Sequence, residues 1–323
     1  MNIRPNLIFG LALLALGAFA PAQAQSYPTG PVRIVVPFPA GGGVDTTGRL
    51  LGQRLTEALG KSFIIDNRPG ANGMIGSEIV AKSPKDGYTL MVNGANFVTT
   101  PSLYRKVTYD PIRDFEPISL LSIAPNVLVV HPSLPAKSVK ELIALAKARP
   151  GQVNFAGSGS GSTPHLAAEL FNTLAHVEMV HVPYRGTGPA IVGLMNGEAS
   201  VMFMPATNAV QLVKAGRLRA LAVTSRTRLS ALPALPTIAE AGLKNYESSQ
   251  WYGFLAPAGT PAEIVNTLAT HTMKIMQAPD MKQRMLDNGN VAVGSTREEF
   301  AAHLKTEFEK WANVIKRSGA RVD

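Results

Sequence analysis

The sequence predicts an α/β chain folded as two open-sheet domains, and three observations carry that reading. Short β-branched apolar runs alternate with segments of 3.6-residue periodicity almost throughout, the pattern of parallel strands joined by helical crossovers. The 323 residues suffice for two domains that each bury a core, at roughly 100 to 200 residues per domain. The 24 prolines and 29 glycines supply many short connections, which a helical bundle would not need. With 46% apolar and only 16% charged residues, disorder is excluded. The absence of cysteine removes disulfides, Cys-ligated zinc, iron–sulfur centres and a thiol nucleophile.

Residues 1–24 stand apart from the fold. Arg4, an apolar run over 7–20 and Ala22-Gln23-Ala24 make a secretory signal with an A-x-A cleavage site after Ala24. The run is about 14 residues long, whereas a membrane span needs ~20. The mature chain is therefore expected to be soluble and periplasmic.

The first strand is read over 33–37 (RIVVP), followed by a Gly-rich turn and a helix with Leu51, Leu55 and Leu59 on one face, stopped by Gly60. A second strand over 63–65 leads to a helix with Ile75, Ile79 and Val80 inward, then a third strand over 88–92. Capping boxes mark later helices at Ser138 with Glu141, Thr237 with Glu240 and Ser295 with Glu298. Thr163-Pro164 and Thr260-Pro261 read as an N-cap followed by proline at the first helical position. Further strands fall at 118–123, 127–131, 153–156, 178–182, 201–203, 218–223 and 251–255.

Two segments read as crossings between domains: the apolar stretch 120–130, interrupted by Ala124-Pro125, and the strand 248–256, stopped by Pro257. The expected division is a discontinuous lobe from 25–124 and 251–323 and an inserted lobe from 125–250. Two crossings permit hinge closure around a ligand.

Ligands of open α/β sheets sit beyond the carboxyl ends of strands, against helix N-termini. Three such ends are rich in small residues. The first, 37–49 (PFPAGGGVDTTGR), offers backbone N–H groups and a positive helix end to an anion, or else is a turn with Asp45 as N-cap. It lacks the Lys-Ser/Thr of a phosphate loop and does not fit GxGxxG. In the second, 157–165 (GSGSGSTPH), Ser158, Ser160 and Ser162 can converge with backbone donors on one oxyanion. Its place between a strand and a capped helix argues against a flexible linker. The third, 183–189 (PYRGTGP), holds Arg185, which either pairs with a carboxylate or stacks, solvated, on Tyr184.

Catalytic patterns are weaker. No GxSxG elbow is present. His165 beside the serines is either a polar helix-start residue that donates to ligand or a general base. His176 and His181 would face opposite ways in one strand. There is no HExxH or EF-hand loop, so no metal and no cofactor is assigned. Met202 and Met204 flank Phe203 on a strand, Met202 toward core and the pair's other side toward a cleft mouth. The net charge of +9 is spread without a run of four Lys or Arg; with 7% aromatics it reads as a solvated basic surface, with no nucleic-acid partner.

Taken together, the chain from 25 to 323 resembles the Bug family, periplasmic solute-binding proteins of tripartite tricarboxylate transporters. The resemblance rests on RIVVPFPAGGGVDTTGR at 33–49, RPGANGMIGSEIVAKSPKDGYTL at 68–90, GSGSGSTPHLAAELF at 157–171 and VPYRGTGPA at 182–190. LVKAGRLRALAVTS at 212–225, LPTIAEAGL at 235–243 and WYGFLAPAGTP at 251–261 extend it. It implies a type II periplasmic-binding-protein fold, two open α/β lobes with a ligand cleft between them, and no catalysis. It also implies that one ligand carboxylate is gripped by the loop Ala40 to Asp45, with Gly41 and Gly42, and by the loop Ser158 to Thr163, with Ser160 and Ser162; Pro39 and His165 beside them are candidate contacts from the strand-end reading. The loop at 93–96, with Asn93 and Ala95, would line the same cleft, while Arg185 stays a candidate from the third strand end alone. Relatives commonly carry Asp where this chain has Met204, which implies an apolar wall and favours an apolar or aromatic mono- or dicarboxylate such as terephthalate. The expected protein is a monomer that passes its carboxylate to inner-membrane permease subunits. Delivery to a sensor kinase, or a hydrolase using His165, are the rival expectations.

Overall fold

The computed structural model describes residues 27–322; the expected signal segment lies outside them. A parallel trio opens the fold: β1 (Val32–Val36) lies between β2 (Phe63–Asn67) and β3 (Thr89–Gly94). Helix α1 (Gly43–Leu59) covers it, burying Leu51 and Leu55. Gly60, at φ 69°, ends α1 by donating its N–H to Thr56 O. A short 3₁₀ turn (Ala71–Gly73) precedes α2 (Met74–Ala81), and α3 (Asn96–Leu103) follows β3. Ile75 is a correction: it is 49% exposed, because the turn rotates α2 so that Met74, Ser77 and Val80 face inward.

The 16-residue β4 (Phe115–Val130) joins the two expected strands at 118–123 and 127–131 into one. As far as Pro125 it pairs antiparallel with β9 (Ser249–Pro257); from Asn126 it pairs with β7 (Val201–Pro205) and β8 (Arg219–Val223). Beyond β7 lie β5 (Asn154–Gly157) and β6 (Val180–Pro183), parallel to one another. Connecting helices are α4 (Val139–Ala148), α5 (Thr163–Ala175), α6 (Thr187–Met195) and α7 (Ala206–Lys214). After β9 the chain returns through α8 (Ala262–Gln277), α9 (Pro279–Asp287), β10 (Val291–Ala292) and α10 (Arg297–Ser318). The result is two open α/β lobes sharing β4, each covered by helices. Among the described residues no helix is long and apolar enough to cross a membrane.

Helix α10 packs on α3, β4 and α5, and so touches both lobes. Glu307 anchors it, accepting from Trp251 Nε1 at 3.2 Å and Trp311 Nε1 at 2.8 Å while paired with Lys310. Burial works to lower the Lys310 pKa, but Glu307 and Glu247 outweigh it and hold the ammonium above its usual range.

Several caps differ from the sequence reading. The cap of α10 is Thr296, boxed with Glu299, one residue beyond the expected Ser295 and Glu298; the Ser295 hydroxyl instead accepts from Leu120 N. Ser162, not Thr163, caps α5, and Thr260 bonds back to Pro257 O ahead of α8. Thr237 and Glu240 make both capping-box bonds, at 2.9 and 3.0 Å, but over a turn rather than a helix. A capping box satisfies N–H donors locally, and helix propagation needs an apolar face beyond it.

Candidate functional site

Two cavities of nearly equal size flank the strands that join the lobes, about 520 Å³ and about 530 Å³. Strand alternation separates them: Ala124 and Gln250 face the first, Ile123 and Ser249 the second. Their chemistry differs. The second is lined by Glu247, Glu299 and Glu307 together with Arg226 and Arg228. Apart from the phenol of Tyr252, the first has no ionisable side chain in its wall.

Helix N-termini supply what charge does not. Gly43, Asn96, Thr163, Thr187 and Ala206 each begin a helix, α1, α3, α5, α6 and α7, and all five line the first cavity. Each such end carries unsatisfied N–H groups and about half a positive charge. Helices of both lobes thus point their positive ends into one neutral space.

Two loops complete that wall, each held from behind. In the first, Gly41, at φ 86°, donates its N–H to Asp45 Oδ2 at 2.9 Å. Arg49 Nε reaches the same oxygen at 2.9 Å, and Asn67 Nδ2 reaches Oδ1 at 2.9 Å. Burial acts to raise the Asp45 pKa, but the bonds from Arg49, Gly41 and Asn67 prevail and hold the carboxyl below its ordinary value. In the second, Gly161, at φ 74°, donates to His165 Nδ1 at 2.9 Å. The His165 ring stacks 4.0 Å from His181, and burial, assisted by His181, pushes its pKa down to about 4. A neutral imidazole whose Nδ1 accepts a backbone bond is a brace for the loop, and no serine hydroxyl of the loop is bonded to that ring.

The first cavity brings together Gly41, Ser158, Ser162 and Thr163 of the residues read from sequence. Pro39, Ala40 and Gly42 line an adjoining hollow that shares Gly43, Asn96, Gln250 and Tyr252 with it. Asp45 and His165, 2% and 6% exposed, lie behind their loops. Asn93 is buried with its amide on Ser77 Oγ, at 3.1 Å, and Gly94 N. Ala95 borders a small void beside Asn96. Ser160 and Arg185 are exposed and outside the wall, where Thr187 stands instead of Arg185. His176 ends α5 in a left-handed conformation, away from the cleft. Met204 is fully buried in the apolar cluster with Met202, because both side chains leave the same face of β7; the opposite face is closed by Phe203. It forms no cleft wall, and the sequence argument from Met204 to an aromatic ligand loses its footing.

Sequence reasoning missed Gln250, Tyr252, Asn126 and the triplet Asn288-Gly289-Asn290. Gln250 Oε1 accepts from Thr163 Oγ1 at 3.0 Å, which ties β9 to the start of α5. The Tyr252 hydroxyl sits over Gly43, where a Cβ would overlap it, and burial pushes its pKa up to about 12, so it stays a donor. Asn126 Nδ2 is buried without a hydrogen-bond partner. A lone Asn in an apolar strand and an Asn-Gly-Asn after an amphipathic helix were signals available in the sequence.

The family model described as tripartite tricarboxylate transporter family receptor matches residues 48–320. Protein BugT of Bordetella pertussis is 35% identical over 319 residues, covering 98% of this chain and 97% of that protein. The structure of Rhodopseudomonas palustris Rpa4515 with adipate superimposes with a TM-score of 0.74 at 39% identity, covering 91% of this chain and 99% of that one. MatC from Rhodopseudomonas palustris with bound malate gives 0.71 at 31% identity, covering 90% and 100%.

Proposed function

The chain belongs to the tripartite tricarboxylate transporter receptor family, and from that premise we propose that it is a periplasmic binding protein that captures a small dicarboxylate and delivers it to membrane subunits of such a transporter. The observation that carries the reading is the convergence of five helix N-termini on a cavity without a charged side chain. Such a wall favours an anion through backbone donors and dipoles, each end contributing roughly 0.3–1 kcal/mol. Adipate and malate in two related structures supply the ligand class. The hydroxyl and amide groups of Thr207, Asn288 and Asn290 in the same wall suit the far end of an acid with two polar termini.

Magnitudes are sufficient. A micromolar complex needs about −8 kcal/mol, and charge-assisted hydrogen bonds contribute roughly 1.5–3 kcal/mol each. Three to five of them reach that range if the two loops are already ordered, which the Asp45 and His165 braces favour. The proposed lobes are 25–124 with 251–323, and 125–250, joined by the crossing strands β4 and β9. The change of β4 partners between Pro125 and Asn126 supports the division. A signal segment at 1–24 and a monomeric mature chain complete the proposal.

Titration calorimetry with adipate, malate, citrate, terephthalate and benzoate tests it. The dicarboxylates should bind with micromolar affinity and raise the melting temperature. Failure of every acid to do either would remove the reading.

A further inference from the structure

Gly289 follows α9 at φ 72°, and the helix end asks for that conformation: Gly289 N donates to Leu286 O and Asn290 N to Met285 O, both at 2.8 Å. The backbone angle strains any L side chain here but does not by itself forbid one, since His176 and Asn245 hold φ 53° and 64° elsewhere in this chain. Space does. A Cβ built on Gly289 would overlap Thr207 Cγ2 and lie 3.2 Å from Thr207 Cβ. Thr207 stands in the first turn of α7, in the lobe opposite to Gly289, and both residues line the cavity of about 520 Å³. The pair therefore meets across the cleft mouth, and the space is demanded only when the lobes are together.

We infer that Gly289 is a positioning residue for ligand capture: its missing side chain sets how closely the lobes approach, and the 288–290 loop closes the mouth against Thr207. The inference rests on the carboxylate-binding reading above. Closure at this contact also completes the wall with Asn288 and Asn290. A single methyl at 289 acts as a wedge between lobes, and removing the Thr207 methyl gives most of the space back, with the Thr207 Cβ still at 3.2 Å.

The test is a double-mutant cycle of Gly289→Ala and Thr207→Ala, read by calorimetry with adipate, malate and terephthalate and by the radius of gyration in solution scattering. Gly289→Ala should weaken whichever of these acids wild type binds by at least tenfold and enlarge the liganded radius. Thr207→Ala alone is the reference of the cycle, since it also takes the Thr207 hydroxyl out of the wall. The double variant should bind within about threefold of Thr207→Ala and recover most of the compact radius, while its melting temperature stays as low as that of Gly289→Ala, because the backbone strain remains. Affinity within twofold of wild type for Gly289→Ala, or a double variant that binds more than tenfold more weakly than Thr207→Ala, overturns the inference. If wild type binds none of these three and neither citrate nor benzoate, the carboxylate reading fails by itself. Scattering of the free proteins then decides on Gly289, and equal radii for wild type and Gly289→Ala overturn it.

Discussion

The two loops at the cleft are built on one plan with opposite chemistry. In each, a left-handed glycine donates its N–H to the side chain four residues later, the third residue of the following helix: Gly41 to Asp45 in α1, Gly161 to His165 in α5. The first brace is a carboxylate whose charge is absorbed by Arg49 and Asn67. The second is an imidazole kept neutral by burial and by His181. Both solutions spend their polar atoms behind the loop, so the face toward the ligand carries only N–H groups and hydroxyls. An uncompensated carboxylate here would repel an anionic ligand, and a protonated imidazole would be costly to bury.

Breaking the charged brace should have the largest effect. Asp45→Ala strands Gly41 N and Asn67 and is expected to lower stability by about 3 kcal/mol in chemical denaturation and to weaken carboxylate binding well over tenfold. Asp45→Asn, which keeps an acceptor, should recover more than half of both losses. The neutral brace comes next: His165→Ala is expected to lose about 2 kcal/mol and about tenfold in affinity.

Acid separates the braces. His165 has a folded pKa of about 4, below the 6.5 of a free imidazole, so below pH 6.5 the unfolded chain takes up a proton that the folded chain refuses. Its contribution is complete above pH 6.5 and is lost as pH falls toward 4. His181, also lowered by burial, adds to this slope; Glu169, whose carboxyl burial raises, opposes it. Asp45, held below its ordinary value, keeps its contribution until pH falls below the usual carboxylate range. Melting curves from pH 7 to 4 should show wild type losing stability early and His165→Gln following a flatter course. An equal slope in both would place the titration elsewhere.

Smaller effects test the wall itself. Ser162→Ala with Thr163→Ala removes the α5 cap and the bond to Gln250; about 1 kcal/mol of stability and about tenfold in affinity should be lost. The smallest effect is that of salt. Because no charged side chain lines the cavity, raising ionic strength from about 0.05 to about 0.5 M should change the dissociation constant less than threefold. A steep dependence would mean that a surface cation, Arg185 first, takes part.

Much of the architecture was legible because it follows from local pattern. Leu51 and Leu55 mark the buried face of α1, Gly60 marks its end, and the two small-residue loops lie where strands give way to helices. The direction of individual side chains was not. Asp45 and His165 read as ligand contacts because they stand beside the right loops, and only the left-handed Gly41 and Gly161 turn the backbone N–H groups onto them. Met204 read as a wall because a strand has two faces, and only the packed lobe shows both covered.

What the sequence by itself determined is the alternation of strands and helices, the two anion-ready loops and the family to which the chain belongs, since these follow from periodicity, caps and short motifs. The tertiary structure alone decided which groups share the cleft. Gln250, Tyr252 and Asn288 to Asn290 reach loops 41–43 and 158–163 because β9 inserts between β3 and β4 and carries the C-terminal segment back to the first lobe. Those meetings depend on contacts between residues 87 or more positions apart, and spacing along the chain holds no record of them.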